Sequence, residues 1–380
     1  MNIFAESVQS VLSYTSAAIL DIVRGVVVTP SKLHAPLIEG NESKYVSECV
    51  ERGEVTHGPH VERFEAGICK RIGGLTNSAK VIAVCNGTAA LHLALSAIGV
   101  GYGDKVVIPA FTFVATANAV RYCGAVPQFV DCDSQGGLDP NRLEDWLSSH
   151  PGVRAVVCVH SFGSPCQVKE LSEVCDKHGV PLIEDAASAL GAKYGSKYAG
   201  TYGVAGIFSF NGNKIITTGG GGAVVTTEIG LEKKIRSLAN VAKKDVPYEF
   251  WHSETGFNYR MPNLNAAFGC GQLENFYQIW SRKVVLARRY QEAFSGCPAA
   301  SILEQNPGSN HWLNTIKLSD VSKRKETAAA LDVNGFECRL GWTPLHFLPM
   351  YRDAERDDLK MTEELARSII NLPSGPGIIL

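Results

Sequence analysis

The chain has 380 residues, of which 45% are hydrophobic and 19% are charged, and its formal net charge is −2. This length predicts a large domain plus a smaller one, because one small core does not need so long a chain. The weak net charge and the lack of a long block of one sign disfavour nucleic acid or an anionic membrane as a partner.

Eleven cysteines and ten histidines are scattered along the chain without a C-x-x-C or an H-x-x-x-H pair. Metal sites commonly take their ligands from such closely spaced pairs, so the spacing predicts no metal site. Several cysteines, such as Cys85 and Cys158, lie within apolar runs. This pattern is typical of buried free thiols in a reducing compartment, and we therefore expect a cytoplasmic protein.

The first residues do not resemble a targeting or membrane segment. Residues 1–16 carry no basic stretch, and the apolar run 17–28 contains Asp21 and Arg24. A membrane span needs about 20 apolar residues, so this run predicts an amphipathic helix docked on the protein body. We expect an N-terminal helical extension over residues 1–34, a large domain over 35–275 and a small C-terminal domain over 276–380.

Short β-branched apolar runs alternate with helical patterns after a first helical stretch, NESKYVSECVERG. The alternation predicts strands at residues 81–84, 105–109, 126–130, 155–159 and 182–183, with helices at 88–98, 112–122, 143–147 and 168–178. Helices that follow strands in this way are typical of a largely parallel sheet buried between helices.

The alternation weakens after residue 205. Strands are predicted at 207–210 and 223–227, on either side of a glycine run, as a late antiparallel part of the sheet. Helices follow at 230–243 and 263–294, and we place the domain change inside the second of them. The small α+β domain would contain the segment 310–318 and a helix at 323–334.

The glycine-rich stretches lack the two common nucleotide-binding motifs. The pattern G-x-x-x-x-G-K-[ST] fails because Asn213 stands between Gly212 and Lys214. The pattern G-x-G-x-x-G fails at Gly99, because Asp104 occupies the position of the last glycine. The sequence therefore predicts neither a P-loop nor a dinucleotide fold.

Two other segments can hold a phosphate or a reactive amine. Residues 86–90 (NGTAA) join a predicted strand to a helix, where free N–H groups and the helix dipole favour an anion. The alternative there is a simple helix cap. Residues 208–214 (FSFNGNK) place Lys214 between an apolar run and a glycine run, where a reactive lysine competes with an exposed loop lysine.

Asp185 ends the apolar run VPLIED at the carboxyl edge of a predicted strand, where α/β proteins commonly bind ligands. A pyridoxal phosphate (PLP) site needs a lysine, an anion beside the pyridine nitrogen and a cradle for the phosphate. Lys214, Asp185 and the turn at 86–90 can supply these three parts. The alternative for Asp185 is a cap of the next turn.

Five segments together resemble the DegT/DnrJ/EryC1/StrS family of PLP-dependent sugar aminotransferases: CNGTAALHLAL, PAFTFVATANAV, EDAASALGA, FSFNGNKIITTGGGG and GFNYRMPNLNAA. The resemblance covers residues 35–375. It implies an α/β PLP-dependent aminotransferase of fold type I, with a mostly parallel central sheet in the large domain and a smaller α+β C-terminal domain. The segments GNESKYVSECVERG and CRLGWTPLHFLPMY resemble the subgroup of the bacillosamine and legionaminic acid pathways.

The resemblance also implies roles for individual residues. Lys214 would form the Schiff base with PLP and carry the proton in catalysis, and Asp185 would pair with the pyridine nitrogen. Phe113 and Ala187 would lie on the two faces of the ring. The remaining cofactor contacts would be Thr88, Ala89 and Ser209 at the phosphate, Ser188 near the ring hydroxyl, and Asn258 at the phosphate of the neighbouring subunit, which requires a homodimer.

The chain departs from the family at Ser188, where many members carry glutamine or histidine, and at Asn86, which replaces a serine. A family branch that performs dehydration carries histidine in place of Lys214, so the lysine favours transamination. The candidate substrate residues are Arg260, Arg339, Trp342 and His346, for which the alternatives are surface arginines, a core tryptophan and a loop histidine.

The predicted reaction moves an amino group from L-glutamate to the 4-keto carbon of a nucleotide-linked sugar. The subgroup favours UDP-4-keto-6-deoxy-N-acetylhexosamine as the acceptor. The alternative acceptor is GDP-4-keto-6-deoxymannose, which would give perosamine. A PLP-dependent lyase or decarboxylase and a non-enzymatic PLP-binding regulator are the competing classes.

Overall fold

The computed structural model describes residues 12–73 and 79–378. In chain order, its helices and strands are α1 (Tyr14–Val26), α2 (Glu42–Glu51), α3 (His60–Gly73), β1 (Lys80–Val84), α4 (Gly87–Ala97), β2 (Lys105–Pro109), α5 (Ala115–Tyr122), β3 (Val126–Val130), α6 (Pro140–Ser149), β4 (Val153–Val159), α7 (Val168–His178), β5 (Leu182–Asp185), β6 (Lys193–Tyr194), β7 (Lys197–Tyr198), β8 (Ala205–Ser209), β9 (Gly222–Thr226), α8 (Ile229–Ala239), β10 (Lys243–Val246), β11 (Glu249–His252), α9 (Asn263–Glu274), α10 (Phe276–Ala293), β12 (Ala300–Ile302), β13 (Asn314–Leu318), α11 (Arg324–Val333), β14 (Arg339–Leu340), α12 (Lys360–Ser368) and β15 (Ile369–Leu372).

The central sheet has seven strands in the order β1-β9-β8-β5-β4-β2-β3. Strands β3, β2, β4, β5 and β8 pair in parallel, whereas β9 runs antiparallel to both β8 and β1. This arrangement confirms the predicted α/β fold with a mostly parallel sheet. Its strands are buried almost throughout, because helices cover the sheet and leave no face for alternating polar residues.

The register of the central strands brings their carboxyl ends side by side. Asp185 at the end of β5 pairs with Val159 of β4 on one side and with Ile207 of β8 on the other. The loops that follow these three strands therefore leave the sheet at the same edge. In open α/β sheets this edge is where ligands bind, so the fold itself locates the candidate site.

Helix α4 is buried along most of its length because it consists mainly of alanine and leucine. Its residues pack against β8 and β9 in the middle of the sheet. A surface helix would instead show an apolar stripe and a polar face. This central position fixes the first turn of α4 next to the end of β8.

A second, antiparallel sheet has the order β12-β13-β15-β14. Helix α1 packs on this part of the protein through Ile19, Leu20 and Val23, which join a core cluster with Leu286 and Tyr290 of α10. Whether the chain divides at residues 34 and 275 into an extension and two domains stays a prediction. Within the described ranges, no helix combines the length and the apolar character needed to cross a membrane.

Two predicted helices differ from the structure. The helix predicted at 263–294 is interrupted at Asn275, which ends α9 and precedes α10. The helix predicted at 230–243 stops at Ala239, and the chain continues into the β10–β11 hairpin. The cause is tertiary: Val241 donates its N–H to Phe257, and a long-range backbone bond overrides local helix propensity.

Lys283 of α10 is almost fully buried, and its Nζ donates hydrogen bonds to the carbonyl oxygens of Trp312 (3.0 Å) and Ser374 (2.6 Å). Burial lowers the pKa of this amine from 10.5 to about 7. A neutral amine still has two N–H groups for the two carbonyls, so the loss of the proton preserves both bonds. Lys283 thus fastens the segments at Trp312 and Ser374 to α10.

This pKa makes the stability of the fold depend on pH. Between about 7 and 10.5 the unfolded chain binds a proton that folded Lys283 has released, so the free energy of unfolding rises with pH. We expect the stability difference between wild type and Lys283→Met to increase by up to about 1.4 kcal/mol per pH unit in this window. Urea unfolding at a series of pH values measures it.

The exposed Lys325 offers a matched control. Lys325→Met should leave the pH dependence of unfolding unchanged. A difference between wild type and Lys283→Met that stays constant across the window would show that Lys283 keeps its charge in the folded protein.

Candidate active site

A cavity of about 580 Å³ opens at the carboxyl edge of the central sheet, between β4, β5 and β8 on one side and β14 on the other. It contains most of the residues that the sequence predicted as cofactor contacts. Those that line it are Thr88, Phe113, Asp185, Ala187, Ser188, Ser209 and Lys214. Residues spread over more than a hundred positions of the chain thus meet in one place.

Asp185 is buried at the base of this cavity. Its Oδ2 accepts a hydrogen bond from Thr116 Oγ1 at 2.8 Å, and its Oδ1 accepts one from the N–H of Ala187 at 3.2 Å. Burial raises the pKa of this carboxyl, while the two donors and the positive charge of Lys214 act in the opposite direction. A protonated ring nitrogen beside Asp185 would stabilise the carboxylate further.

Lys214 lies in the loop after β8, with its backbone N–H bonded to the carbonyl of Asn211. Its Nζ donates to Ser188 Oγ at 2.9 Å and sits 4.0 Å from the ring centroid of Trp312. Burial lowers the pKa of this amine from 10.5 to about 8, and Asp185 partly opposes the shift. A substantial fraction of Lys214 can therefore be neutral near physiological pH, as a proton acceptor requires.

Trp312 holds the lysine loop in place. Its Nε1 donates to the carbonyl of Asn213 at 2.6 Å, and its ring covers the ammonium of Lys214. The indole thereby contacts two consecutive residues of the loop. It limits both the position of Nζ and the access of water to it.

The turn between β1 and α4 forms an anion cradle. The first backbone bond of α4 joins the N–H of Ala90 to the carbonyl of Asn86, so the N–H groups of Gly87 and Thr88 precede it at the positive end of the helix. Gly87 and Thr88 both line the cavity. A Cβ on Gly87 would lie 2.8 Å from the Cβ of Ser209, so glycine is needed for Ser209 to join the cradle.

Ala89 differs from its predicted role. Its N–H donates to Oδ1 of Asn86 at 2.8 Å in a helix-capping bond, and it does not line the cavity. The cap and the anion cradle therefore coexist in one turn. Ala89 could contact a phosphate through its N–H only if Asn86 released that bond.

Two residues that would flank a flat ring also line the cavity. Phe113, just before α5, leaves 60% of its surface exposed, which is unusual for phenylalanine. Ala187 presents a small side chain two residues after Asp185. Their placement on opposite faces of a bound ring stays a prediction.

The four candidate substrate residues fall into different places. Arg339 and Trp342 line the cavity that contains Lys214, where Trp342 stacks on Phe162 with 4.5 Å between ring centroids. Arg339 Nη2 lies 2.6 Å from Oε1 of Glu337, which also lines the cavity. These two residues remain candidates for substrate contact.

Asn258 and Arg260 lie in a separate cavity of about 570 Å³, beside β1. Asn258 forms a backbone bridge with Asn240, and Arg260 forms one with Val84. Neither residue lines the cavity of Lys214 in the same chain. This position agrees with the prediction that Asn258 acts on a neighbouring subunit. It does not agree with the prediction that Arg260 lies at the mouth of the cavity that contains Lys214 of the same chain.

His346 does not reach the cavity of Lys214 either. It is buried in a single helical turn, and its Nε2 lies 3.2 Å from Oε1 of Glu363 in α12. The imidazole is directed to this packing contact and to a cavity that it shares with Arg352 and Asp357. This position does not support the predicted contact of His346 with substrate in the cavity of Lys214.

Thr116, Trp312 and His34 are among the residues of this cavity that the sequence analysis did not identify. Thr116 stands in the quoted segment PAFTFVATANAV, but no pattern showed that its hydroxyl would meet Asp185, 69 positions away. Trp312 was placed only within a segment of the small domain. The contacts of both residues span too much of the chain for a local signal to reveal them.

Cys158, His160 and Cys166 form a buried group whose potential ligand atoms lie within 4.8 Å of one another. Their linear spacing had predicted no metal site. The Nδ1 of His160 accepts the backbone N–H of Cys166 at 3.2 Å, and its Nε2 lies 3.0 Å from Glu184. Both ring nitrogens of His160 are thus engaged by neighbouring protein groups, Nδ1 by Cys166 and Nε2 by Glu184.

These features fit PLP. Asp185 is a buried carboxylate at the base of the cavity, Lys214 is a buried amine with a lowered pKa, and the start of α4 offers free N–H groups. The donor set matches an electron-accepting ring with a protonated nitrogen at one end and a phosphate at the other.

Comparisons with known proteins agree. A sequence model of the DegT/DnrJ/EryC1/StrS aminotransferase family matches residues 36–379. GDP-perosamine synthase of Vibrio cholerae is 36% identical over 355 residues, which cover 91% of this chain and 94% of that protein. Bacillus subtilis EpsN, which bears the name of a pyridoxal phosphate-dependent aminotransferase, is 37% identical over 90% of each chain.

The same relationship appears at the level of structure. The crystal structure of the aminotransferase TlmJ from Streptoalloteichus hindustanus has a TM-score of 0.85 and 28% identity, covering 91% of this chain and 94% of that one. Membership of the subgroup of the bacillosamine and legionaminic acid pathways stays a prediction, which is not tested by these relatives. They show that the chain belongs to the DegT/DnrJ/EryC1/StrS aminotransferase family and is a PLP-dependent sugar aminotransferase of fold type I.

Proposed function

We propose that this enzyme transfers the amino group of L-glutamate to the 4-keto carbon of GDP-4-keto-6-deoxymannose and so produces GDP-perosamine. The observation that carries transamination is the buried pair of Lys214 and Asp185 in one cavity. The relatives named GDP-perosamine synthase support the GDP-linked acceptor. The UDP-linked N-acetylhexosamine, which the sequence favoured, has less support and becomes the alternative.

The residues of the cavity divide the work. When bound, PLP supplies an electron-accepting ring and the carbon that carries the amino group between the two substrates. Asp185 keeps a proton on the ring nitrogen, because a buried carboxylate favours the cationic form of its neighbour. Gly87, Thr88 and Ser209 hold the phosphate at the start of α4.

Lys214 moves the proton. Its Nζ takes a proton from the substrate carbon that bears the nitrogen. It then delivers this proton to the cofactor carbon that carries the amino group between the substrates. Ser188 orients Nζ by accepting a hydrogen bond, and Trp312 covers it. The desolvation that lowers the pKa of Lys214 to about 8 makes the amine available as a base.

A homodimer is part of the proposal. Asn258 lies outside the cavity of Lys214, so it can serve a phosphate only in another subunit. The nearby β10–β11 hairpin leaves Tyr248 and Phe250 almost fully exposed and Trp251 more than half exposed. Large apolar side chains exposed together mark an interaction surface, and a second copy of this chain would cover them.

Glutamate alone separates transamination from the competing classes. In a transaminase, one equivalent of 2-oxoglutarate forms per active site, and the absorbance of bound PLP changes to that of pyridoxamine phosphate. A lyase or decarboxylase would release ammonia or carbon dioxide, and a non-enzymatic regulator would show no product. Either outcome would end the proposal of transamination.

Lys214→Ala should lower the rate of amino transfer by roughly 10³-fold or more, because the proton carrier is lost. Lys214→Arg is the matched variant, since it keeps a cation that cannot act as a base. We expect it to be equally inactive in stopped-flow measurements with glutamate. Near-normal transfer in either variant would contradict the role of Nζ.

The acceptor is tested with the pyridoxamine phosphate form of the enzyme. We expect kcat/KM for GDP-4-keto-6-deoxymannose to exceed that for UDP-4-keto-6-deoxy-N-acetylhexosamine by at least about tenfold, since one missing set of base contacts is worth a few kcal/mol. A preference for the UDP sugar would restore the first acceptor. Turnover of neither sugar would refute both.

Thr116→Val should weaken PLP binding by about tenfold, because Asp185 loses a hydrogen bond that favours its charged form. Fluorescence titration of the cofactor-free protein measures the dissociation constant. The matched control is Thr226→Val, which removes a similarly buried hydroxyl at the end of β9, outside the cavity of Lys214. Equal losses in both variants would show a general packing effect.

The subunit arrangement is tested by mixing two inactive variants, Lys214→Ala and Asn258→Ala. Random reassortment into symmetric dimers should restore about a quarter of the wild-type activity, because each mixed dimer has one intact site. Mixtures that stay as inactive as their parents, although mass spectrometry shows mixed dimers, would place Asn258 in its own subunit's site.

A further inference from the structure

The segment between α1 and α2 is fixed against the rim of the cavity. Ser31 pairs with residues 335–337: it receives its backbone bond from Glu337 N–H and donates one to Gly335 O, both at 2.9 Å. The carbonyl of Leu33 accepts the N–H of Ser374 at 2.6 Å. Backbone bonds to residues 335–337 and to Ser374 therefore hold the chain where it passes the cavity of Lys214.

His34 lies in this segment and lines the cavity of Lys214. Its side chain is buried, with 9% of the residue surface exposed, and neither ring nitrogen has a hydrogen-bond partner among residues 12–73 and 79–378. Buried polar groups nearly always have partners, so an imidazole with both nitrogens free needs an explanation. The imidazole is buried in a segment whose backbone is held at Ser31 and Leu33.

The surroundings of His34 keep the ring neutral. Burial lowers the pKa of this imidazole well below 6.5, and the positive charges of Lys283 and Lys214 lower it further. A neutral imidazole offers one N–H donor and one acceptor nitrogen. It is a poor counter-ion for a carboxylate, which prefers a cation.

The chemistry of the two substrates then discriminates between them. The carboxylates of L-glutamate accept hydrogen bonds and do not donate them, and its ammonium only donates. A sugar hydroxyl can do both, so it suits either nitrogen of a neutral ring. Arg339, in the same cavity, is the cation that a carboxylate would prefer.

We propose that His34 is a specificity-determining residue that binds a ring hydroxyl of the sugar acceptor in the cavity of Lys214. The inference rests on the proposed sugar aminotransferase function and adds a contact to it. The family match begins at residue 36, so His34 precedes the part of the chain that the family model describes.

The test compares the two half-reactions in single turnovers. His34→Phe fills the space of the imidazole without hydrogen bonds, and His34→Gln retains a donor and an acceptor. In His34→Phe we expect the glutamate half-reaction to stay within about twofold of wild type, whereas kcat/KM for the sugar falls by 10- to 100-fold. His34→Gln should recover at least part of the loss.

An acceptor series identifies the contact. Analogues of the sugar that each lack one ring hydroxyl are compared in wild type and in His34→Phe. For one of them the loss caused by His34→Phe should disappear, because the hydroxyl that His34 binds is already absent. A structural role for His34 would lower the rate for every analogue alike. The control is His178→Ala, which removes an imidazole that is bonded to Glu144, far from the cavity.

The outcomes separate the two proposals. Wild type that converts neither glutamate nor sugar contradicts the proposed function. The other outcome is that wild type performs both half-reactions and that His34→Phe equals it or is impaired equally in both. This outcome overturns the proposal for His34 and leaves the proposed function standing. If His34→Phe does not fold, the same comparison is made with His34→Leu, which also lacks a hydrogen-bonding group, and sugar kinetics equal to those of wild type overturn the role of His34.

Discussion

The structure depends on the burial of two opposite charges, Asp185 and Lys214, at one edge of the sheet. An isolated buried charge is strongly destabilising, so each group needs partners that the rest of the fold supplies. Thr116 and the amide of Ala187 stabilise the carboxylate, and Ser188 accepts the hydrogen bond of the lysine. The same desolvation lowers the pKa of Lys214 to about 8, as a proton acceptor needs, whereas it raises the pKa of Asp185, an effect that the hydrogen bonds and the charge of Lys214 oppose.

The phosphate end of the site depends on close backbone approach. A Cβ on Gly222 would lie 2.5 Å from the carbonyl carbon of Asn86, and one on Gly87 would lie 2.8 Å from the Cβ of Ser209. Glycine at these two positions lets the start of β9, the end of β8 and the turn before α4 converge. Helix α4 packs over the middle of the sheet and is surrounded by apolar contacts. These contacts hold the turn before α4 firmly against β8 and β9.

Most of the site residues predicted from the sequence lie in two cavities. One contains Lys214 and Asp185, and the other contains Asn258 and Arg260. A single chain cannot bring these groups together, because Asn258 and Arg260 are held in backbone bridges on the other side of β1. The proposed dimer resolves this separation, and the exposed aromatic hairpin then becomes an interface.

The sequence by itself determined the alternation of strands and helices, the parallel sheet and the two charged residues that end or follow its strands. These features are local: they follow from apolar periodicity and from residues that stand at strand ends, such as Asp185. Five motifs were enough to identify the family. Tertiary structure alone decided that Trp312 covers Lys214, that Thr116 meets Asp185, that His34 joins the cavity and that His346 does not. The hydrogen bond of Thr116 to Asp185 joins residues 69 positions apart, and that of Trp312 to Asn213 joins residues 99 positions apart. Such pairs leave no local pattern in the sequence, because the folding of the chain and not the propensity of single residues brings them together.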